Sequence, residues 1–359
     1  MMALFITLSS AFLLRAVAVS LPRRATVFID SRGEHAADPV MFIPDTTVPL
    51  VANRQDWTRG RTPLRLFKGA PPGVREAIAR PGIPAFDPNS LNHSQEVFIS
   101  IPPTDAIGVM CVPGHVPHGM VFYNVMDPEL LPFVVDPSRS DFQNASVIIA
   151  PGGGNTHVAW EAEGLTHANW LNSLGISAFV LKYRVPENGQ DNGEIDSQRS
   201  VILVRSMAKN YGLDPNRIGF MGSSAGGNIA RGIALKTSLV YAPTDELDTS
   251  ISAQPDFIMM LYSSVTAEWL DPASVAAAPK KMFLAYTLDD PCIEPTNNKK
   301  FNAMVEEEHL EDRFQVVEYP DGKHAWGDCN YYPQWKGHAC CRWRDLGEQF
   351  LRQKVIGGL

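Results

Sequence analysis

Residues Gly222-Ser223-Ser224-Ala225-Gly226 carry the spacing G-x-S-x-G, directly after an apolar run that reads as a strand and at the start of a helical stretch. A nucleophilic serine needs a sharp strand-to-helix turn that lifts its hydroxyl clear of the backbone, and such a turn admits only small residues two positions to either side. Gly222 and Gly226 meet that demand and Gly227 adds slack, so Ser224 is the candidate nucleophile and Ser223 the variable position. Alone, the pattern describes a glycine-rich turn with a capping serine equally well. It is not alone, because Pro151-Gly152-Gly153-Gly154-Asn155 follows an earlier strand. Acyl transfer needs N–H donors aimed at an oxygen that becomes negative, and a triple glycine lets backbone amides reach it unobstructed. The candidate oxyanion hole is formed by the amides of Gly153 and Gly154, with that of Ala225 at the N-terminus of the nucleophile helix, where the dipole favours negative charge. The segment has neither the Gly-Lys-Ser/Thr of a P-loop nor the G-x-G-x-x-G of a dinucleotide fold.

A serine hydroxyl is a weak nucleophile and needs a neutral imidazole to take its proton, held in the right tautomer by a carboxylate. In a strand-turn-helix setting of this kind the partners follow in the order Ser, acid, His, each past the end of a later strand. Asp289 and Asp290 end one such strand, and His324 follows another within Tyr319-Pro320-Asp321-Gly322-Lys323-His324. Asp290 is preferred as the acid, since Asp290-Pro291-Cys292-Ile293 reads as a carboxylate, a turn and an apolar residue, while Asp289 suits a turn cap. His309 lies among glutamates on a helix and His338 in a Cys-rich tail, positions that suit surface or structural roles. His115 and His118 fall in a Pro-Gly loop and read as loop residues rather than a metal pair.

These residues need a scaffold that brings distant loops together. From residue 145 short apolar runs alternate with amphipathic stretches, the signature of βαβ units and a parallel sheet. Strands are expected at 146–150, 178–183, 218–221, 257–262, 281–286 and 314–319. Helices are expected at 163–174, 197–211, 226 to about 239 and 296–308, with a C-terminal helix ending near 353. The expected fold class is α/β, an α/β-hydrolase fold with a mostly parallel central sheet and helices on both faces. Residues 91–359 would form the catalytic domain and 21–90 an irregular N-terminal extension or edge layer.

The chain of 359 residues can bury a large core without disulfides or metals. Its formal net charge of −8 argues against nucleic acid or an anionic membrane as partner, since both require clustered Lys and Arg. A small-molecule or neutral-polymer substrate is expected instead. Met2 to Leu14 is an apolar run followed by Ala16-Val17-Ala18, which reads as a secretory signal over residues 1–20, with a buried N-terminal helix as the other reading. Secretion, with no membrane partner after cleavage, is therefore expected. Asn92-His93-Ser94 and Asn144-Ala145-Ser146 are glycosylation sequons. Five cysteines leave at least one unpaired in a monomer, and a bridge from Cys329 to Cys340 or Cys341 is expected. None of the spacings is that of a zinc site.

Several segments together resemble a known group. Pro151-Gly152-Gly153-Gly154, Glu163-Gly164, Trp170-Leu171-Asn172-Ser173-Leu174-Gly175-Ile176, Val180-Leu181-Lys182-Tyr183-Arg184-Val185-Pro186, Asp214-Pro215-Asn216-Arg217-Ile218-Gly219 and Gly222-Ser223-Ser224-Ala225-Gly226-Gly227-Asn228 are similar to the acetyl-xylan-esterase-like (BD-FAE-like) branch of the α/β-hydrolases. The resemblance runs from about residue 131 to the C-terminus. It implies a Ser-His-Asp carboxylesterase that removes acetyl or other short acyl groups, often from carbohydrate, without metal or organic cofactor. Asn155 stands where the group commonly has Tyr. The same side chains would serve an amidase, formamidase or peptidase of this fold, and a non-catalytic binding protein on this scaffold usually lacks a triad member, whereas Ser224, Asp290 and His324 are all present here.

Overall fold

The structure, a computed structural model, describes residues 57–72, 96–101, 111, 119–185, 192–243, 245–248, 250–279, 281–329 and 335–357. The expected signal segment, Asn92, His115 and His118 lie outside the described residues.

A sheet of eight strands organises the chain. In sequence they are β1 (Leu64–Arg65), β4 (Glu129–Phe133), β5 (Gln143–Ala150), β7 (Ile176–Lys182), β8 (Ile218–Ser223), β9 (Phe257–Leu261), β10 (Lys281–Thr287) and β11 (Phe314–Tyr319). The intervening labels are β2 (Val97–Ile101), β3 (Gly119–Tyr123) and β6 (His157–Val158), which form a separate three-stranded sheet. The large sheet has the order β1-β4-β7-β5-β8-β9-β10-β11. β4 runs antiparallel to both β1 and β7, and every other pair is parallel. β7, β9 and the last six residues of β5 are buried along their length, so both faces of the sheet are covered and apolar runs replace alternation.

The six strands expected after residue 145 are all present. The connecting helices are α1 (Thr166–Ser173), α2 (Asn192–Met207), α3 (Ala225–Ala234), α4 (Pro272–Ala277), α5 (Thr296–Glu307) and α6 (Trp343–Phe350). A π-helical turn, Trp160–Leu165, leads into α1, and another, Leu351–Val355, follows α6. The nucleophile helix α3 ends at Ala234, short of the expected 239. Asp271 caps α4 by accepting the amides of Ala273 and Ser274. Among the described residues, no helix is long and apolar enough to cross a membrane.

The described part of the N-terminal extension, residues 57–72, packs on the main body. β1 pairs with β4, and Trp57 meets Phe122 and Trp160 edge to face at 5.3 and 5.4 Å. Arg199 donates to the Leu66 carbonyl at 2.6 Å and Arg184 to that of Pro72 at 2.8 Å. Buried Lys182 is paired with Glu96 and Glu129, both at 2.9 Å, so the charge is neutralised where water is excluded.

Two disulfides are formed. Cys329 joins Cys341, the second of the two expected partners, and Cys340 remains a buried free thiol. Cys111 joins Cys292 across 181 residues, a bridge between the N-terminal part and the loop after β10. Asn144 is exposed, at the start of β5.

Candidate active site

The glycines flanking Ser224 are required by close approach. A Cβ at Gly222 would collide with the Gly226 carbonyl, and one at Gly226 with the Ala150 carbonyl, so strand, turn and helix share space that side chains would occupy. Ser224 itself has φ 51° and ψ −119°, a conformation rare for a residue with a side chain and the one a nucleophile elbow imposes. Its backbone is pinned: the amide donates to the Leu261 carbonyl at 2.9 Å, and Ser263 Oγ donates to the Ser224 carbonyl at 2.7 Å.

Three loops converge on this serine. Ser224 Oγ lies 2.8 Å from His324 Nε2, across 100 residues of sequence. His324 Nδ1 lies 2.7 Å from Asp290 Oδ2. An ionised carboxylate only accepts, so the proton sits on Nδ1 and Nε2 is left to accept from the hydroxyl. The other oxygen of Asp290, Oδ1, accepts the amides of Cys292 at 2.7 Å and Ile293 at 3.0 Å, which fixes the carboxylate plane. Asp289 faces elsewhere: it accepts the Lys323 amide at 2.8 Å and pairs with Lys323 Nζ at 3.0 Å, capping the histidine loop. His309 stands at the end of α5, and His338 pairs with exposed Asp321 at 2.9 Å.

The glycine turn abuts the elbow. A Cβ on Gly152 would lie 2.7 Å from the Ser223 carbonyl and 3.0 Å from Ser224 Cβ. Gly153 has φ +138° and faces the His157 carbonyl, so only glycine fits there. Among the described residues, no acceptor takes the amide hydrogens of Gly153, Gly154 or Ala225. The Gly152 amide, in contrast, is used: it donates to Glu163 Oε2 at 2.6 Å. Asn155 adopts φ 55° in the turn that follows.

Sequence reasoning gave no role to three polar residues beneath the site. Glu163 is buried and receives, besides the Gly152 amide, the Tyr262 hydroxyl on Oε1 at 3.0 Å. Burial raises its carboxyl above the usual carboxylate range, although both donors and the nearby His324 favour the charged form. The Tyr262 ring lies edge-on to His324 at 5.0 Å and to Trp326 at 4.9 Å. Buried His167 stands 3.4 Å from Ser223 Oγ, and burial, with the charge of Arg344, pushes its pKa well below the ordinary imidazole value. The available signal was a glutamate and a histidine on the helix expected at 163–174, at positions facing the sheet.

Two groups bring three metal-ligand side chains together, Asp290-Cys292-His324 and Cys329-Cys340-Cys341. Each includes disulfide-bonded sulfur, which offers no thiolate, so neither presents three free ligands.

A serine in the elbow conformation after β8, a carboxylate after β10 and a histidine after β11, on this strand order, are the arrangement of the α/β-hydrolase fold. Residues 134–258 match the BD-FAE family model, so this part of the chain is similar to the acetyl-xylan-esterase-like branch of the α/β-hydrolases. It is 25% identical over 199 residues to an acetylxylan esterase of Xylanibacter ruminicola, a match covering 51% of this chain and 41% of that protein. It is 29% identical over 134 residues to endo-1,4-beta-xylanase B of Butyrivibrio fibrisolvens, covering 36% of this chain and 20% of that one. The chain thus aligns with less than half the length of these relatives. Among solved structures, an acetyl ester-xyloside bifunctional hydrolase from Caldicellulosiruptor lactoaceticus superposes with a TM-score of 0.57 at 25% identity, over 83% of this chain and 97% of that one. Esterase 2 of Thermogutta terrifontis in its apo form shares the fold with a TM-score of 0.50 at 18% identity, over 63% of this chain and 89% of that one.

Proposed function

We propose that this chain is a secreted serine carboxylesterase that hydrolyses short acyl esters, acetyl above all, on carbohydrate, through an acyl-enzyme formed on Ser224. The single observation that carries the reading is the pair of contacts at His324, 2.8 Å to the Ser224 hydroxyl and 2.7 Å to Asp290. Those two distances put nucleophile, base and orienting acid in hydrogen-bond register before any substrate arrives.

In this mechanism Ser224 Oγ attacks the ester carbonyl carbon as its proton passes to His324 Nε2. The carbonyl oxygen takes the negative charge and is met by the amides of Gly153, Gly154 and Ala225. Asp290 stays ionised and stabilises the imidazolium. Collapse of the tetrahedral intermediate breaks the bond to the alcohol oxygen, which leaves with the proton from Nε2. A water then repeats the sequence: His324 takes its proton, hydroxide adds to the acyl carbon, and the acid departs as Ser224 recovers its hydrogen. The acetyl and carbohydrate preferences rest on the names of the relatives, and secretion on the apolar N-terminal run and on two disulfides, which persist in oxidising compartments.

Ser224→Ala is the test. It is expected to remove nearly all turnover of a short-chain aryl ester and all labelling by a fluorophosphonate, with the thermal midpoint close to that of the unsubstituted protein. Full turnover in the alanine variant ends the reading. Parallel assays on acetylated xylo-oligosaccharide, a formamide and a peptide identify the bond type, with the acetyl ester expected to be the fastest.

A further inference from the structure

Glu163 is an acidic residue only 2% exposed, placed where three parts of the site meet, and the triad chemistry does not use it. Its Oε2 holds the Gly152 amide at 2.6 Å, one residue before the oxyanion glycines. Its Oε1 holds the Tyr262 hydroxyl at 3.0 Å, and the Tyr262 ring stands edge-on to the catalytic imidazole, 5.0 Å between centroids. Tyr262 directly follows β9, and the next residue, Ser263, holds the Ser224 carbonyl. Gly327, on the histidine loop, leaves room for this arrangement, since a Cβ there would come within 2.5 Å of Tyr262 Oη. One carboxylate therefore ties the glycine turn to the segment that braces both the serine and the histidine.

We propose that Glu163 is a positioning residue for the esterase reaction: its carboxylate sets the glycine turn through Gly152 and, through Tyr262, places a second negative charge behind the imidazolium. The inference rests on the triad reading above.

Two consequences follow from the geometry. The Gly152 amide points at Glu163, so the turn cannot rotate to present that amide to substrate, and the amides after it are left for the oxyanion. A charge on Glu163 also favours protonated over neutral His324. Among the described residues, the other titratable groups in contact with that histidine are Asp290 and Tyr262, while Asp289 and Lys323 pair with each other at the base of its loop. Of these, Tyr262 alone is bonded to residue 163.

Glu163→Gln separates charge from shape. Its amide oxygen can accept from Gly152 while its NH2 donates to Tyr262 Oη, so both contacts survive and the charge goes. The acid limb of kcat/KM is expected to move to lower pH by about half a unit, as loss of one charge across an intermediate dielectric implies. Glu163→Ala releases the turn, and kcat is expected to fall by about tenfold to a hundredfold with KM within about threefold, as for misplaced oxyanion donors. Gly327→Ala, which displaces Tyr262 without touching Glu163, is expected to give the same kcat loss on a smaller scale, about fivefold or more. All three are measured beside the unsubstituted protein and Ser224→Ala, with circular dichroism to confirm the fold.

An unmoved acid limb in Glu163→Gln, with kcat within twofold in folded Glu163→Ala, overturns the positioning role while leaving the triad reading intact. Ser224→Ala with full turnover overturns both. If Glu163→Ala does not fold, the acid limb of Glu163→Gln and the kcat of Gly327→Ala decide the matter.

Discussion

Asp290→Asn tests the choice between two adjacent carboxylates, and the structure sets the size of the effect. All three contacts of Asp290 come from donors: His324 Nδ1 at 2.7 Å, the Cys292 amide at 2.7 Å and the Ile293 amide at 3.0 Å. Asparagine supplies one accepting atom and one donating group, so it must offend one side. Turning its NH2 toward Cys292 and Ile293 orphans two amide hydrogens, at about 1–3 kcal/mol each when buried. Turning it toward the imidazole costs no hydrogen bond, because Nδ1 can shed its proton and accept. The second orientation wins, and it moves the imidazole proton to Nε2, facing Ser224. Nε2 then donates where it should accept, and the base is lost. A drop in kcat of about 10³–10⁴ follows, equivalent to about 4–5.5 kcal/mol of transition-state stabilisation. Asp289→Asn is the control: it keeps an acceptor for the Lys323 amide and loses only a half-exposed pair with the ammonium, worth about 1 kcal/mol or less, so activity should stay within about fivefold. Initial rates on an aryl acetate from about pH 5 to pH 9, with thermal midpoints for both variants, suffice. A larger loss in Asp289→Asn, or more than a tenth of normal kcat in folded Asp290→Asn, refutes the assignment.

The bridge between Cys111 and Cys292 closes a loop spanning 181 residues, for which chain entropy gives an upper stabilisation of about 5 kcal/mol. Cys111→Ser should therefore lower the guanidinium midpoint markedly, and kcat by less than about tenfold because the Cys292 amide still reaches Asp290; an unchanged midpoint counts against the bridge. The raised carboxyl of Glu163 makes a separate prediction about stability. As pH rises through the ordinary carboxylate range the unfolded chain ionises first and the folded chain retains a proton, so this residue's contribution to stability declines until the buried group ionises too. Glu163→Gln removes that decline, and its thermal midpoint should improve relative to the unsubstituted protein as pH rises through the ordinary carboxylate range; the opposite trend would show that the two donors outweigh burial.

The part of the site that sequence made legible is the part governed by local rules. Ser224 is visible because the elbow's small-residue spacing is a local pattern, Gly222 being demanded by Gly226 four residues on, and His324 and Asp290 because apolar runs mark the strand ends that carry them. Asp289 as a turn cap is likewise a local hydrogen-bond pattern. The antiparallel layer of β2, β3 and β6 was not legible: its strands are short, β6 has two residues, and their pairing depends on segments far apart in sequence. β4, with Pro132 inside it, reads poorly as a strand, yet it pairs antiparallel with β7 through Glu129–Phe133. The Cys111–Cys292 bridge could not be inferred, because connectivity is a property of the folded chain. Glu163, visible only as part of the family resemblance, received no role for a related reason: a glutamate at the start of a helix is ordinarily a solvated or dipole-favoured residue, and only the tertiary packing of the glycine turn and Tyr262 makes it a buried hub.

Strand ends alone do not place a triad. A parallel sheet delivers β8, β10 and β11 to one edge, but each functional side chain sits on a loop beyond its strand, where small backbone shifts would break contacts of 2.7 and 2.8 Å. What holds the loops together is a set of bonds between them. Ser263 after β9 holds Ser224 after β8 at 2.7 Å; Thr287 at the end of β10 donates to the Lys323 carbonyl before His324 at 2.5 Å; and Asp289 takes the Lys323 amide at 2.8 Å. Glu163 adds the glycine turn after β5 through Gly152, and the end of β9 through Tyr262. The serine bonds join neighbours β8 and β9 and the Lys323 bonds join neighbours β10 and β11, Glu163 reaches from the turn after β5 past β8 to Tyr262, and the Tyr262 amide donates to the Ala285 carbonyl of β10 at 2.8 Å, so the turn, the serine, the acid and the histidine are linked across the sheet edge. Preorganisation here is therefore a property of the short polar contacts that cross from strand end to strand end. Removing one of them should cost kcat more than KM, because the reacting groups lose their register while the surface that meets the substrate stays as it was.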